Sequence, residues 1–193
     1  YKYDDEIYGA LTRLRDKINI LTDLTNYDEE LNELERNITI FNAEIINKVL
    51  KESNLDIDLI GFHGQTIYHN AKEKISKQLG DGKLLNQLTS KNIVYNFRNN
   101  DILNGGEGAP LTPIFHQLIA SQNNISLPVC FLNIGGISNI TIVNNNKDFL
   151  ELESRDIGPG NCLIDSWIRK NSDKKFDKGG QLASIGTKNE IIF

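Results

Sequence analysis

The chain of 193 residues has no methionine, only two cysteines and no surplus of positive charge. Each shortage excludes something. Cys130 and Cys162 cannot form a disulfide framework, and neither has the CxxC partner of a zinc site. Lys plus Arg numbers 21 against 26 Asp plus Glu, a net charge of −5. That argues against a non-specific nucleic-acid binder, whose affinity comes from basic side chains meeting phosphates. No apolar run approaches the length of about 18 residues that a membrane-spanning helix needs. The opening residues, Tyr1 to Ala10, are too polar for a signal peptide. A soluble protein of a reducing, cytoplasmic compartment, with no nucleic-acid or membrane partner, is the expectation. The missing methionine leads to the expectation that the chain does not start at an initiation codon. The closing Glu190-Ile191-Ile192-Phe193, with no turn or cap after it, leads to the expectation of an excerpt from a longer protein.

Hydrophobic residues make up 39% of the chain, enough for a core, since a chain of this size buries roughly 70% of its unfolded surface. The length fits one domain or two small ones. Asn (24) and Ile (26) are in excess. This is a compositional bias, so a surface Asn is not by itself a sign of a site.

Ile7, Leu11, Leu14, Ile18 and Leu21 recur at helical spacing, and Thr25-Asn26 breaks the pattern. A longer helix is expected from about Asp28 to Ser53, with an apolar stripe of Leu31, Leu34, Ile38, Phe41, Ile45 and Val49. Both helices read as a layer on a sheet rather than a coiled coil. From Leu55 to Phe62 a strand is expected, ending in the polar turn His63-Gly64-Gln65-Thr66. Gly80-Asp81-Gly82 is a turn before a short helix, Lys83 to Ser90. A strand at Ile93-Val94-Tyr95 ends in Arg98, Asn99, Asn100 and Asp101. A glycine-rich loop, Gly105 to Pro110, leads to a helix opened by Pro110 or Pro113 and running through Ile119. Beyond Pro128 two strands meet at Gly135-Gly136, with a turn at Asn144-Asn145-Asn146. A third strand is expected at Phe149 to Glu153, then a turn from Asp156 to Asn161 that opens a helix from Cys162 to Lys170. The polar stretch from Ser121 to Leu127 separates a helix-rich part, residues 1–126, from a hairpin-rich part, residues 127–193.

Polar residues beside glycine turns at strand ends mark where open α/β sheets bind ligands. Five such turns occur here: HGQT (63–66), FRNND (97–101), GGEGAP (105–110), NIGGISN (133–139) and DIGPGN (156–161). A Gly-Gly pair between strands is by itself most often a hairpin corner. Glycine also lets backbone N–H groups approach a phosphate closely. NIGGISN supplies Gly135 and Gly136 flanked by Asn133, Ser138 and Asn139. DIGPGN supplies Gly158, Gly160 and Asn161 ahead of a helix N-terminus that favours an anion. Neither is a Walker A loop, because no GK[ST] follows. Asp156 reads as a general base or as a cap on the following helix. Arg98 reads as a carboxylate clamp or as the partner of Asp101 in an internal ion pair. Asp165, four residues before Arg169, reads as a helix-surface pair. His69 and His116 read as structural, and Cys130 as a buried, inert thiol.

HGQTIYH (63–69), QLGDG (78–82), FRNNDI (97–102), GGEGAPLTPIFH (105–116), LNIGGISNIT (132–141), DIGPGNCLIDSW (156–167) and DKGG (177–180) stand in the order seen in the anhydro-N-acetylmuramic acid kinases, which this chain resembles strongly from Leu55 onward. The resemblance implies an α/β chain of the actin-like (ribonuclease H-like) ATPase fold, with two lobes. It implies hydrolysis of the 1,6-anhydro bridge of anhydro-N-acetylmuramic acid and phosphorylation of its 6-oxygen, in cell-wall recycling. ATP and Mg2+ are the implied cofactors and an amino sugar the implied small-molecule partner; a homodimer is left open and the metal ligands are not implied. Asp156 falls at the position of the base. His63, Gly64, Gln65, Arg98 and Asp101 fall at sugar-side positions, Arg98 as partner of the lactyl carboxylate. Asn133, Gly135, Gly136, Ser138, Gly158, Gly160 and Asn161 fall at the ATP phosphates.

Three positions depart from the family pattern: Ile157 for threonine, Glu107 for glutamine and Asn96 for aspartate. The resemblance also implies a phosphate turn before this chain and an adenosine-binding half after it, so the fold is expected to be incomplete at both ends and the fragment alone inactive. A non-catalytic glycan-binding remnant, or another sugar or acyl kinase of the same superfold, remain as alternatives.

Overall fold

Asp4 opens the first helix, α1 (Asp5–Lys17), by accepting a hydrogen bond from the Ile7 N–H at 2.8 Å, as capping aspartates do. In this computed structural model, which describes residues 1–145, 152–188 and 190–191, the helix expected through Leu21 stops short. The Asp23 carboxylate accepts from the N–H groups of Asn19 (2.9 Å) and Ile20 (3.0 Å). Those bonds hold the chain open at 19–20, and a second short helix, α2 (Leu21–Asn26), follows. They also hold the Asp23 carboxyl below its ordinary pKa. Helix α3 (Asp28–Ser53) has the bounds its apolar period predicts, ending where Asn54 turns left-handed at φ 51°.

By contacts the chain groups into two units, Tyr1–Ala109 and Pro110–Phe193. This is a grouping by contact, a separate matter from the lobes expected to divide near residue 126.

In the first unit, β1 (Leu59–Phe62) pairs in parallel with β4 (Asn92–Tyr95), and β2 (Gln65–Asn70) pairs antiparallel with β3 (Ile75–Leu79). The second pair is a hairpin whose mostly polar strands the sequence pattern does not mark. It replaces a turn at Gln65-Thr66 with strand. Ile7, Leu14 and Ile18 meet Leu31, Leu34 and Ile38 of α3 and Ile67, Tyr68 and Leu79 of this hairpin in one cluster. Leu14, Ile38 and Leu79 are fully buried, and each such side chain contributes about 1.5–3 kcal/mol by leaving water. A smaller cluster joins Ala43 of α3, Phe62 of β1 and Leu85 of α4 (Gly82–Thr89). Polar groups of α3 hold the intervening turn. Glu35 accepts from Lys77 Nζ at 3.2 Å and the Gly80 N–H at 2.9 Å, and Thr39 Oγ1 accepts from the Asp81 N–H at 2.9 Å. After β4, residues expected only as a polar strand end form helix α5 (Phe97–Leu103).

In the second unit, Pro113 opens α6 (Pro113–Gln122), and β5 (Val129–Ile134), β6 (Ile137–Val143) and β7 (Leu152–Pro159) form an antiparallel sheet in that order. Val143 and Thr141 are buried, and α6 contacts β6 and β7. Cys130, expected to be buried, is exposed. It alternates with Val129 and Phe131, which are the covered residues of that strand. Of the turn expected at 144–146, Asn146 lies outside the described residues, as does the part of the expected third strand at 149–151. Strand β7 instead continues through the segment expected to be a turn, as far as Pro159. Helix α7 (Asn161–Asn171) follows; a 3-10 turn at Lys178–Gly180 then leads into α8 (Gln181–Ile185).

Candidate functional site

In the first unit the parallel pairing of Phe62 with Tyr95 brings two chain segments out at the same strand ends, His63-Gly64 after β1 and α5 after β4. Arg98 in α5 reaches back, and its Nε donates to His63 Nε2 at 2.9 Å. The accepting Nε2 places the ring hydrogen on Nδ1, which donates to the Gly64 carbonyl at 2.9 Å. Arg98 also donates from its guanidinium to the Gly108 carbonyl at 2.8 Å, while the Asp101 carboxylate accepts from the Gly108 N–H at 2.8 Å. The two side chains bracket one peptide residue of the glycine-rich loop from either side. No ion pair joins Arg98 to Asp101 among the described residues. Burial lowers the Arg98 pKa from its ordinary value, and the guanidinium stays charged.

Gln65 begins β2, and its amide donates to the Tyr3 hydroxyl at 3.0 Å. Gly64 has φ +71°, and a Cβ there would lie 2.4 Å from the Leu79 carbonyl oxygen. Sequence reasoning missed Gly108 and Tyr3 as partners of these residues; the short GGEGAP loop carried the only signal for the first. Asn96 sits at φ 66°, a conformation asparagine adopts more readily than most residues, so the departure at this position fits the backbone. Glu107 is exposed. Its charge opposes the lowering of the His69 pKa, which comes first from burial and second from Arg98. His69 bonds Ser76 Oγ at 3.0 Å.

In the second unit the Gly135-Gly136 turn joins β5 to β6. The start of α7 closes onto it. Gly160 N–H donates to Gly136 O at 2.9 Å, Asn161 N–H to Gly135 O at 2.7 Å, and Asn161 Nδ2 to Ile134 O at 3.2 Å. A Cβ on Gly160 would lie 2.2 Å from Gly135 O and 3.0 Å from Ser138 Oγ, so this contact demands glycine. The turn glycines differ. Gly136 has open space where a Cβ would go, and at Gly135 the nearest atoms are at an ordinary 3.6 and 3.7 Å. Neither has a positive φ.

The register carries Asp156 to the same place. Asn133 pairs with Asn139 and Asn139 with Asp156, while Ser138 pairs with Gly158, so Ile157 is the extra residue of a β-bulge. Residues directly opposite share a face, which puts Asn133, Asn139 and Asp156 in one row beside the Gly-Gly turn. Asp156 does not cap α7, whose cap position is Gly160. Among the described residues its carboxylate has no hydrogen bond or ion pair. His116 bonds Thr141 Oγ1 at 2.9 Å and stacks on Phe131 with ring centroids 4.8 Å apart; burial lowers its pKa. The expected Asp165–Arg169 pair does not form, and Arg169 donates instead to the Lys175 carbonyl at 3.4 Å. Among the described residues no group of three or more His, Cys, Asp or Glu could hold a metal ion, and no helix is long and apolar enough to cross a membrane.

A family model described as anhydro-N-acetylmuramic acid kinase matches residues 3–192. Among curated proteins carrying that name, one from Pelagibacter ubique is 55% identical over 194 residues, covering 100% of this chain and 51% of that protein. One from Agrobacterium fabrum is 37% identical over 192 residues, 97% of this chain and 51% of its own length. One from Brucella canis is 41% identical over 162 residues, 81% of this chain and 43% of its own. The chain thus spans about half the length of the curated relatives it matches.

Proposed function

The chain belongs to the anhydro-N-acetylmuramic acid kinase family, and from that premise we propose that the protein carrying it opens the 1,6-anhydro bridge of anhydro-N-acetylmuramic acid and phosphorylates the 6-oxygen with ATP, in cell-wall recycling. The observation that carries this reading is Asp156, a carboxylate with no structural partner among the described residues, set in a strand row beside a glycine turn whose glycines the fold itself does not require.

In this reaction the oxygen of a water bonds to the anomeric carbon as the bond from that carbon to O6 breaks. Asp156 takes the water's proton as general base. O6 takes the γ-phosphoryl group and ADP leaves. The Gly135-Gly136 turn offers close backbone approach to the phosphates, with Asn133, Ser138, Gly158, Gly160 and Asn161 around it. Mg2+ would arrive with ATP, would need only one or two carboxylates from the protein, and would supply neutralisation of the phosphate charge. On the sugar side, His63, Gly64, Gln65, Arg98 and Asp101 receive the substrate. Arg98 has its Nε and Nη1 already engaged and presents its Nη2 hydrogens to the lactyl carboxylate. The actin-like, two-lobed fold and a cytoplasmic setting belong to the same proposal.

The test is Asp156→Asn in a full-length protein carrying this chain. Asparagine keeps the size and the row but cannot take a proton. Turnover should fall by at least about a hundredfold, with sugar and ATP affinity retained in calorimetric titration. Near-normal turnover in the folded variant would overturn the mechanism; a wild-type protein that binds the sugar and never turns over would favour a non-catalytic glycan binder.

A further inference from the structure

We propose that Asn139 is a second catalytic residue, whose side-chain carbonyl holds the attacking water together with Asp156. The inference rests on the reading of Asp156 as base and names what else that base needs.

Asn139 lies directly opposite Asp156 in the β6–β7 ladder, at the bulge where Ile157 is the extra residue. Side chains opposite each other in such a ladder have Cβ atoms about 4.5–5.5 Å apart. Even so, no hydrogen bond joins the Asn139 amide to the Asp156 carboxylate, and neither side chain bonds any other described residue. Asn139 is half-buried and Asp156 exposed, so both side chains meet solvent in this row. Two facing polar side chains that meet solvent without bonding each other are an arrangement in which a water bridges.

The chemistry assigns that water a use. A nucleophilic water has two hydrogens and must aim a lone pair at the anomeric carbon. With one hydrogen on the Asp156 carboxylate and the other on Asn139 Oδ1, its remaining lone pairs are fixed in direction. The oxygen bonds to the anomeric carbon, the bond to O6 breaks, and the shared proton passes to Asp156. The hydrogen on Asn139 stays with the new hydroxyl group. The bulge contributes by breaking the regular ladder beside Asp156.

The experiment uses a full-length protein carrying this chain, with Asn139→Ala, Asp156→Asn and the double variant. Asn139→Ala should lower kcat by about tenfold to a hundredfold, the cost of a misplaced reactant. Dissociation constants for sugar and ATP should stay within about twofold of wild type by that same account, in which only the water is misplaced. The double variant should be no slower than Asp156→Asn alone, because both residues serve one water. If Asn139→Ala fails to fold, Asn139→Val, which suits a strand and has no acceptor for the water, carries the same expectation. Wild-type kcat in folded Asn139 variants, or losses that multiply in the double variant, would overturn the inference while leaving the base in place. Near-normal turnover in Asp156→Asn would remove the base itself, a separate and recognisable failure.

Discussion

Gly135 and Gly160 lie in one turn contact and have opposite reasons for being glycine. The difference makes them a matched pair of probes. Gly160 has backbone within 2.2 Å of where a Cβ would sit, so Gly160→Ala should cost stability wherever it is measured, by about 1–3 kcal/mol for an overpacked site. Gly135 has room for a Cβ. Gly135→Val in a full-length protein should leave the unfolding midpoint nearly unchanged and weaken ATP far more than sugar, since the side chain would stand where phosphates approach. Calorimetric titration of each ligand checks this; a stability loss with nucleotide affinity intact would make the turn a hairpin corner and nothing more. This distinction was not legible in the sequence, where both residues read as phosphate-facing glycines. The pairing of Asn133 with Asn139 was not legible either: a two-residue turn at Gly135-Gly136 would set Asn133 opposite Ser138, and the connection is one residue longer. Nor was the place of Asp156 opposite Asn139, because it depends on one bulged residue, Ile157, that shifts the register.

The elements most legible in the sequence were those with a long uniform period. Helix α3 has the expected bounds because Leu31, Leu34 and Ile38 repeat over a segment with no competing side-chain cap. The β2–β3 hairpin was missed because its strands are mostly polar, with burial limited to Ile67, Tyr68, Ser76 and Leu79. It is held by α3 and α1 rather than by its own pattern. At α8 a side chain from outside the helix binds the N–H groups of its first turn. There Asp177 of the DKGG motif accepts from the N–H groups of Leu182 (2.9 Å) and Ala183 (3.0 Å). These bonds, Leu182 first, hold the Asp177 carboxyl below the ordinary aspartate value of 3.8. A carboxyl with a lowered folded-state pKa stabilises above its unfolded value and loses that contribution as pH falls through the folded one. The Leu182 and Ala183 amide resonances should therefore titrate with a midpoint below 3.8, and Asp177→Ala should abolish that transition. A midpoint at or above the ordinary value would show that the carboxylate does not cap α8.

At the scale of the whole molecule, one fact governs what this chain can do by itself: it spans about half the length of the relatives it matches. Anhydro-bridge opening coupled to phosphoryl transfer needs a base, a sugar site, a phosphate cradle and a hold on the nucleoside. On the proposed reading the candidate residues would supply the first three, and no residue of this chain is proposed for the fourth. The second unit also leaves large apolar side chains in solvent, among them Leu132, Ile134, Leu163, Ile164 and Trp167, each more than half exposed. Apolar surface of this kind is costly to leave in water, and contiguous patches mark surfaces made to be covered. The 193 residues expressed alone should therefore show no sugar-dependent release of ADP, and should bind a hydrophobic dye more strongly than a full-length relative under the same conditions. A coupled ADP assay with the anhydro-sugar, run on the isolated chain beside the full-length protein, checks the first expectation, and dye fluorescence checks the second. Sugar-dependent turnover by the isolated chain would mean that its own residues complete the nucleotide site. Asp156 and the Gly135-Gly136 turn would then be the centre of a self-sufficient enzyme rather than one part of a longer one.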